Sequence, residues 1–184
     1  MHPLSIPVKR LREGPLEVEV ELPPAELELA DREFGEFEFR GPVRGRIMYH
    51  LVGQDVVASG ELAVAVATRC VRCLTPVEVP VRATVNEVWM PFDAEDAAHL
   101  EDAAGEGAIV QSYRDDLIEP ADVYRELLMV ELPEHPCCSP DCRGLCPGCG
   151  ADLNREACRC RAGEAPRSAA AELDWKRKLK NIKL

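Results

Sequence analysis

Apolar and polar residues alternate with a period of two through most of the first half of the chain. Leu16 to Leu22 reads LEVEVEL, the pattern of a strand with one buried face. Leu27 to Leu29 extends the apolar signal as a short strand-like continuation, and Glu36 to Arg40 (EFEFR) alternates again. Gly41-Pro42 punctuates the run. Val43 to Val52 and Val56 to Thr68 follow as two strands joined at Gly53-Gln54-Asp55, a hairpin turn. After Leu74-Thr75-Pro76 comes VEVPVRATVNEVWMPF, in which Val77, Val79, Val81, Ala83 and Val85 share one face. Pro3, Pro7 and Pro15 make residues 1–15 an extended arm or edge strand. About five antiparallel strands with one apolar face cannot stand alone. They must form an open sheet or partial barrel and pack against a helix.

The second half changes period. Pro120 suits the first turn of a helix, with Glu119 as an imperfect cap, and Val123, Leu127, Leu128, Val130 and Leu132 give that helix a broad apolar face to lay on the sheet. Pro133 and Pro136 end it. A last helix opens at Pro166-Arg167-Ser168, with Ser168 as its cap. Trp175, Leu179 and Ile182 form a narrow stripe on it, surrounded by Lys176, Arg177, Lys178, Lys180 and Lys183. The pattern therefore predicts an α+β protein in five parts. These are a β-rich body (1–92), an acidic exposed loop (93–112), a helix packing on the sheet (113–136), a cysteine-rich module (137–165) and a basic C-terminal helix (166–184).

Composition sharpens this picture in two places. Aromatics are only 5% of the chain against 46% hydrophobic residues in all, so Val, Leu and Ala must fill the core. The net charge of −11 is unevenly placed. Residues 1–92 carry 10 basic and 14 acidic groups, residues 93–141 carry 2 and 14, and residues 142–184 carry 10 and 5. The acidic middle can be a solvated linker or can face a basic partner, whereas the basic end suits phosphates. Basic residues late in a helix also complement its dipole without any ligand.

The candidate chemistry is in the thiols. Seven of nine cysteines lie between Cys137 and Cys160. Cys146-Pro147-Gly148-Cys149-Gly150 has the form of a metal knuckle, in which two sulfurs at i and i+3 converge and the glycine after them permits a positive φ. With Cys158 and Cys160 it completes a tetrahedral set for Zn2+. Cys70 and Cys73, at the end of a strand, can join Cys138 and Cys142 in a second set, leaving Cys137 as a spare thiol. A rival partition gives Cys142 to the knuckle and frees Cys158 or Cys160. His135 adjoins the cluster and can substitute as a ligand. An odd cysteine count and the lack of an apolar run of signal-peptide or membrane-spanning length favour metal in a reducing, cytoplasmic setting over disulfides.

Nothing in the sequence forms a catalytic constellation: GxGxxG, P-loop and GxSxG motifs are absent, and His2, His50, His99 and His135 are scattered. His50 reads as a half-exposed strand residue. All-cysteine sets are closed and structural, which favours a scaffold over an enzyme. A thiol redox role for Cys70 and Cys73 needs a lowered pKa, and no helix opens there to supply it. The remaining alternatives are a factor that binds RNA and a zinc-stabilised protein adaptor with no RNA contact. The phosphate contacts would come from Arg143, Arg155, Arg159, Arg161, Lys176, Arg177, Lys178 and Lys180.

From about residue 40 onward the chain resembles the YceD family of large ribosomal RNA subunit accumulation proteins. The resemblance rests on CVRCLTPVEVPV, on DLIEPADVYRELLMVELPEHPCC, on CRGLCPGCGADLN with CRC, and on PRSAAAEL. It implies a small bacterial or plastid protein needed for accumulation of large-subunit ribosomal RNA; taken with the charge pattern, the expectation is a ribosome-biogenesis factor whose partner is that RNA, its precursor or a basic large-subunit protein. It also implies paired cysteines at Cys70, Cys73, Cys138, Cys142, Cys146 and Cys149. The CxC at Cys158 and Cys160 matches many but not all members. No enzymatic mechanism comes with the resemblance.

Overall fold

A computed structural model of the chain describes residues 2–29, 37–92 and 111–160. The chain divides into two compact units, one formed by Met1–Thr68 and Glu78–Glu134, the other by Arg69–Val77 and His135–Leu184. The acidic stretch 93–110 and the basic C-terminal helix expected over 166–184 lie outside the described residues.

The first unit is built on a five-stranded sheet whose strands lie side by side in chain order. Its strands are β2 (Leu16–Leu22), β3 (Glu38–Val52), β4 (Asp55–Arg69), β5 (Pro76–Pro91) and β6 (Gln111–Tyr113). β2 with β3 and β3 with β4 are antiparallel, whereas the short β6 runs parallel to β5, pairing Gln111 with Trp89. A small second sheet joins β1 (Ile6–Pro7) to β7 (Leu117–Ile118). The helices are α1 (Val8–Leu11) and α2 (Ala121–Val130). The α+β, antiparallel-dominated architecture is the one the alternation demands.

Alternation also decides the core. Val56, Ala58, Leu62, Val64 and Val66 of β4 and Val81, Ala83, Val85 and Trp89 of β5 point inward, joined by Ile47 and Tyr49 of β3. From α2, Val123, Tyr124 and Leu128 complete the same cluster. On the other face of β2 and β3, Arg44 pairs with Glu21 at 2.9 Å and Arg46 with Glu17 and Glu19, both at 3.0 Å. Exposed pairs of this kind contribute little stability, but they agree with the register. His50 is half-buried in β3, opposite Val57.

Several local expectations change. Gly41-Pro42 does not end a strand. β3 runs through it, and the register slips between Arg40 and Arg44. Gly41 at φ 71 supplies a bulge, and a proline without an N–H is accommodated there. Leu27 to Leu29 is not extended: Pro24–Leu27 is a 3-10 turn that buries Leu27, with Leu29 buried just beyond. The N-terminal arm contains a helical turn, α1, whose Val8 and Leu11 are buried. Gln111 and Ser112, expected in the acidic loop, belong to β6. Pro120 stands one place earlier than expected, as the N-cap of α2, with no side-chain cap. Val130, assigned to the apolar face, is 82% exposed in the last turn.

Among the described residues of the second unit, 69–77 and 135–160, turns and bends predominate. Its buried cluster is Cys70, Cys73 and Cys142, with Val77, Cys137 and Leu145 packed against them. Among the described residues, no helix is long and apolar enough to cross a membrane.

Candidate metal centres

Two tight turns in the second unit use one hydrogen-bond plan. In the first, Cys70 N donates to Thr75 O at 2.9 Å and Leu74 N donates to Cys70 O at 2.9 Å. In the second, Cys146 N donates to Ala151 O and Gly150 N to Cys146 O, each at 2.8 Å. Each closes a CxxC loop and turns amides toward the sulfurs. The residue four after the first cysteine takes a positive φ in both, 60° at Leu74 and 74° at Gly150. The glycine was legible in the sequence. The leucine was not, because only its backbone carries the signal.

Each turn is met by two further thiols. Cys70, Cys73, Cys138 and Cys142 form one set, and Cys146, Cys149, Cys158 and Cys160 the other, with all sulfurs of a set within 4.8 Å of one another. In the first set Cys70 and Cys142 are 3.8 Å apart and Cys73 and Cys138 are 3.6 Å apart. In the second, Cys146 lies 3.2 Å from Cys158 and 3.8 Å from Cys160, and Cys149 lies 4.0 Å from Cys158. A tetrahedral ion with metal–sulfur bonds of about 2.3 Å needs sulfur–sulfur edges of about 3.8 Å. Both sets therefore can hold a metal ion. The rival partition, with Cys142 on the second knuckle, is not the arrangement found. Cys137 is half-buried beside the first set, and His135 is exposed and in neither.

The thiols of each set differ in acidity. Cys70 is held down to about 6, chiefly by the backbone N–H of Cys73, and Cys149 to about 6 by the N–H groups of Ala151 and Arg159. Cys73 is lowered by the Thr75 hydroxyl and amide, and Cys146 by the amide of Cys149 and the thiol of Cys158. The partner arms move the other way. Cys138 is pushed up to about 12 by the sulfurs of Cys142 and Cys73, Cys160 to about 12 by that of Cys158, and Cys158 is raised by Cys146. Cys70 thus becomes acidic without the helix N-terminus that the sequence lacks, because the knuckle amides do the same work.

Three other residues finish the geometry and were missed by sequence reasoning. Thr75 Oγ1 lies 3.3 Å from Cys73 Sγ. Arg72 Nη1 donates to Cys142 O at 3.0 Å, and Arg72 O accepts from Leu145 N at 2.9 Å. Asn154 Nδ2 donates to Cys142 Sγ at 3.4 Å. None of these lies at a spacing that marks a ligand. Of the expected phosphate contacts, Arg155 pairs with Asp152 at 3.4 Å and Arg159 with Glu156 at 2.6 Å. The backbone N–H of Arg143 donates to Asn154. Arg161, Lys176, Arg177, Lys178 and Lys180 lie outside the described residues.

The chain thus combines a β-rich unit with two four-cysteine sets, each able to hold a metal ion. The chain belongs to the family described as large ribosomal RNA subunit accumulation protein YceD, whose model matches residues 58–183. Among curated proteins, an uncharacterized protein of Mycobacterium leprae (strain TN) is 32% identical over 117 residues, covering 63% of this chain and 51% of the relative. An uncharacterized protein of Mycobacterium tuberculosis (strain ATCC 25618 / H37Rv) is 34% identical over 106 residues, covering 57% and 48%. The chain thus spans about half the length of the curated relatives it matches. No solved structure gives a significant match.

Proposed function

We propose that the chain is a non-enzymatic, cytoplasmic ribosome-biogenesis factor that supports accumulation of large-subunit ribosomal RNA, with Zn2+ in each cysteine set as a structural staple. The observation that carries the reading is the pair of four-cysteine sets, the sulfurs of each within 4.8 Å of one another, in a unit where the cluster of buried residues Cys70, Cys73 and Cys142 is all cysteine. Among the described residues of that unit the buried cluster offers little aliphatic surface to hold a fold by burial alone. Zn2+ in a small module supplies ~10 kcal/mol or more of folding free energy. Four thiolates leave no coordination position for a substrate, unlike a catalytic zinc. The family's name supports the ribosomal assignment.

The direct partner in this reading is large-subunit RNA or its precursor, met by the basic C-terminal part, or a basic large-subunit protein. An adaptor role without RNA contact has one observation in its favour. Between Cys137 and Cys160, Arg143, Arg155 and Arg159 are balanced by Asp141, Asp152 and Glu156, and two of these arginines are already ion-paired.

Metal content per chain, on protein purified without added metal, tests the staple: two zinc ions are expected, and none overturns it. Cells lacking the gene test the role, with a lowered ratio of large- to small-subunit ribosomal RNA expected and an unchanged ratio counting against it. Partner capture with and without nuclease separates the two modes. Retention of a basic ribosomal protein after nuclease, with no RNA bound, favours the adaptor.

A further inference from the structure

Asn154 lies in the chain between Cys149 and Cys158, inside the second cysteine set, yet its side chain serves the first. Its Nδ2 donates to Cys142 Sγ at 3.4 Å and to Asp152 Oδ1 at 2.8 Å, while its Oδ1 accepts from Arg143 N at 2.7 Å. The amide cannot be reversed. Turned round, its oxygen would face the Asp152 carboxylate and its NH2 would face an N–H. Asp152 Oδ1 also accepts from Asn154 N at 3.0 Å, which fixes the residue from its own backbone.

The connector between the sets, Arg143-Gly144-Leu145, is divided in the same way. Leu145 N donates to Arg72 O, inside the first knuckle, at 2.9 Å. Gly144 O accepts from Leu153 N at 2.9 Å, and Leu145 bridges to Asp152, both in the loop of the second set. Gly144, at φ 72°, sits tight against the first knuckle: a Cβ there would lie 3.0 Å from Arg72 O and 3.3 Å from Arg72 Cβ, and the positive φ disfavours any side chain. One short segment is therefore ordered by both sets at once.

We propose that the two cysteine sets fill with metal cooperatively, and that Asn154 is the positioning residue through which they are coupled. The inference rests on the reading that both sets hold an ion. An ion on Cys146, Cys149, Cys158 and Cys160 fixes the loop that carries Asn154, so that an N–H donor stands ready at Cys142. A ligand sulfur held by an N–H donor is oriented, and part of its charge is offset. The ion entering the first set then finds one ligand and the connector already in place, and the ordering cost is lower. The second set is the one to fill first, because it closes a short local loop, whereas Cys73 and Cys138 are 65 residues apart. Linkage makes the coupling reciprocal.

The test is a double-mutant cycle on the full chain with Co2+ as the probe, read by thiolate-to-cobalt absorption under chelator competition. The double substitution Cys149→Ser with Cys158→Ser removes the second set and leaves the first to be measured alone. Its removal is expected to weaken Co2+ binding at the first set by about tenfold or more, within the 10–100-fold range of residues that support metal ligands. Asn154→Asp, which swaps the donor for a carboxylate oxygen beside Cys142, is expected to weaken the first set similarly. Removing the second set from the Asn154→Asp chain then costs nothing further, whereas a merely structural residue would give losses that add. If Asn154→Asp takes up no Co2+, Asn154→Ala, which introduces no charge, closes the cycle. Uptake of one Co2+ by the unaltered chain removes the two-ion reading, and the proposal with it. Uptake of two, with the first set unmoved by loss of the second or with additive losses, overturns the coupling alone.

Discussion

Leu74 and Gly150 hold the same position in two copies of one turn, each donating its amide to the carbonyl of the cysteine four residues before it, at φ 60° and 74°. A glycine takes that conformation freely. For a leucine it costs roughly 1–2 kcal/mol. The swap is therefore asymmetric. Gly150→Leu is expected to destabilise the second unit by about 1–2 kcal/mol and to lower metal retention at Cys146, Cys149, Cys158 and Cys160. Leu74→Gly relieves strain at the first knuckle but adds chain entropy to the unfolded state, by about 0.5–1 kcal/mol, and is expected to leave stability nearly unchanged. Denaturant unfolding with parallel metal analysis checks both. Equal losses from the two substitutions would refute the equivalence of the turns.

Gly148 is constrained by space rather than by φ. A Cβ at this position would lie 2.6 Å from Cys160 Sγ and 3.9 Å from Cys146 Sγ. Gly148→Ala must push Cys160 out of its place, while the first set is untouched. If both sets hold an ion, as proposed above, the expected result is a fall from two metal ions per chain to one, measured by elemental analysis. Retention of both ions would show that the CxC arm has freedom the geometry does not suggest.

These residues also mark what the sequence could and could not reveal. The strands and the inward faces of β4 and β5 were legible because burial on one face enforces a period of two. The CPGCG knuckle was legible because its glycine and spacing are dictated by sulfur geometry. The 3-10 turn at Pro24–Leu27 was not, since a few apolar residues beside prolines carry no period. Nor was the continuity of β3 through Gly41-Pro42, where local breakers are overridden by pairing with β4 before and after the bulge and with β2 beyond it. Asn154 escaped for a different reason. Its hydrogen bonds join residues up to 12 apart through a loop with no repeating pattern.

Glu87 stands on the inward phase of β5, two residues from Val85 and from Trp89. Burial raises its pKa above the ordinary carboxylate value of 4.5, and Glu126 of α2 raises it further. A carboxyl with a raised folded-state pKa favours the fold below its unfolded pKa, and that advantage is lost as pH rises through the folded value. At pH 7 the ionised Glu87 is therefore a cost, softened by its partial exposure. Glu87→Gln is expected to raise Tm at pH 7 by about 1–3 °C and to lose that advantage as pH falls toward 4.5. Thermal melts of both chains at matched pH test this. A gain that does not change with pH would assign the effect to packing instead.

Tyr49 of β3 and Tyr124 of α2 are 1% and 0% exposed, and their hydroxyls are hydrogen-bonded to each other in the core of the first unit. Burial pushes the Tyr49 hydroxyl up to about 12 and that of Tyr124 higher still, so both remain neutral at any working pH. The bond attaches the helix to the sheet, and the Tyr49 ring also lies 6.3 Å from that of Trp89. Removing one hydroxyl leaves the other buried without its partner, which costs about 1–3 kcal/mol, whereas removing both leaves no orphan. Tyr49→Phe and Tyr124→Phe are each expected to destabilise the chain by that amount. The double substitution should cost less than the sum of the two, because the second change removes the group the first left unpaired. Urea unfolding followed by the fluorescence of the buried Trp89 reads the cycle. Strictly additive losses would mean that each hydroxyl finds a separate partner in the folded chain and that the helix is held by apolar contacts alone.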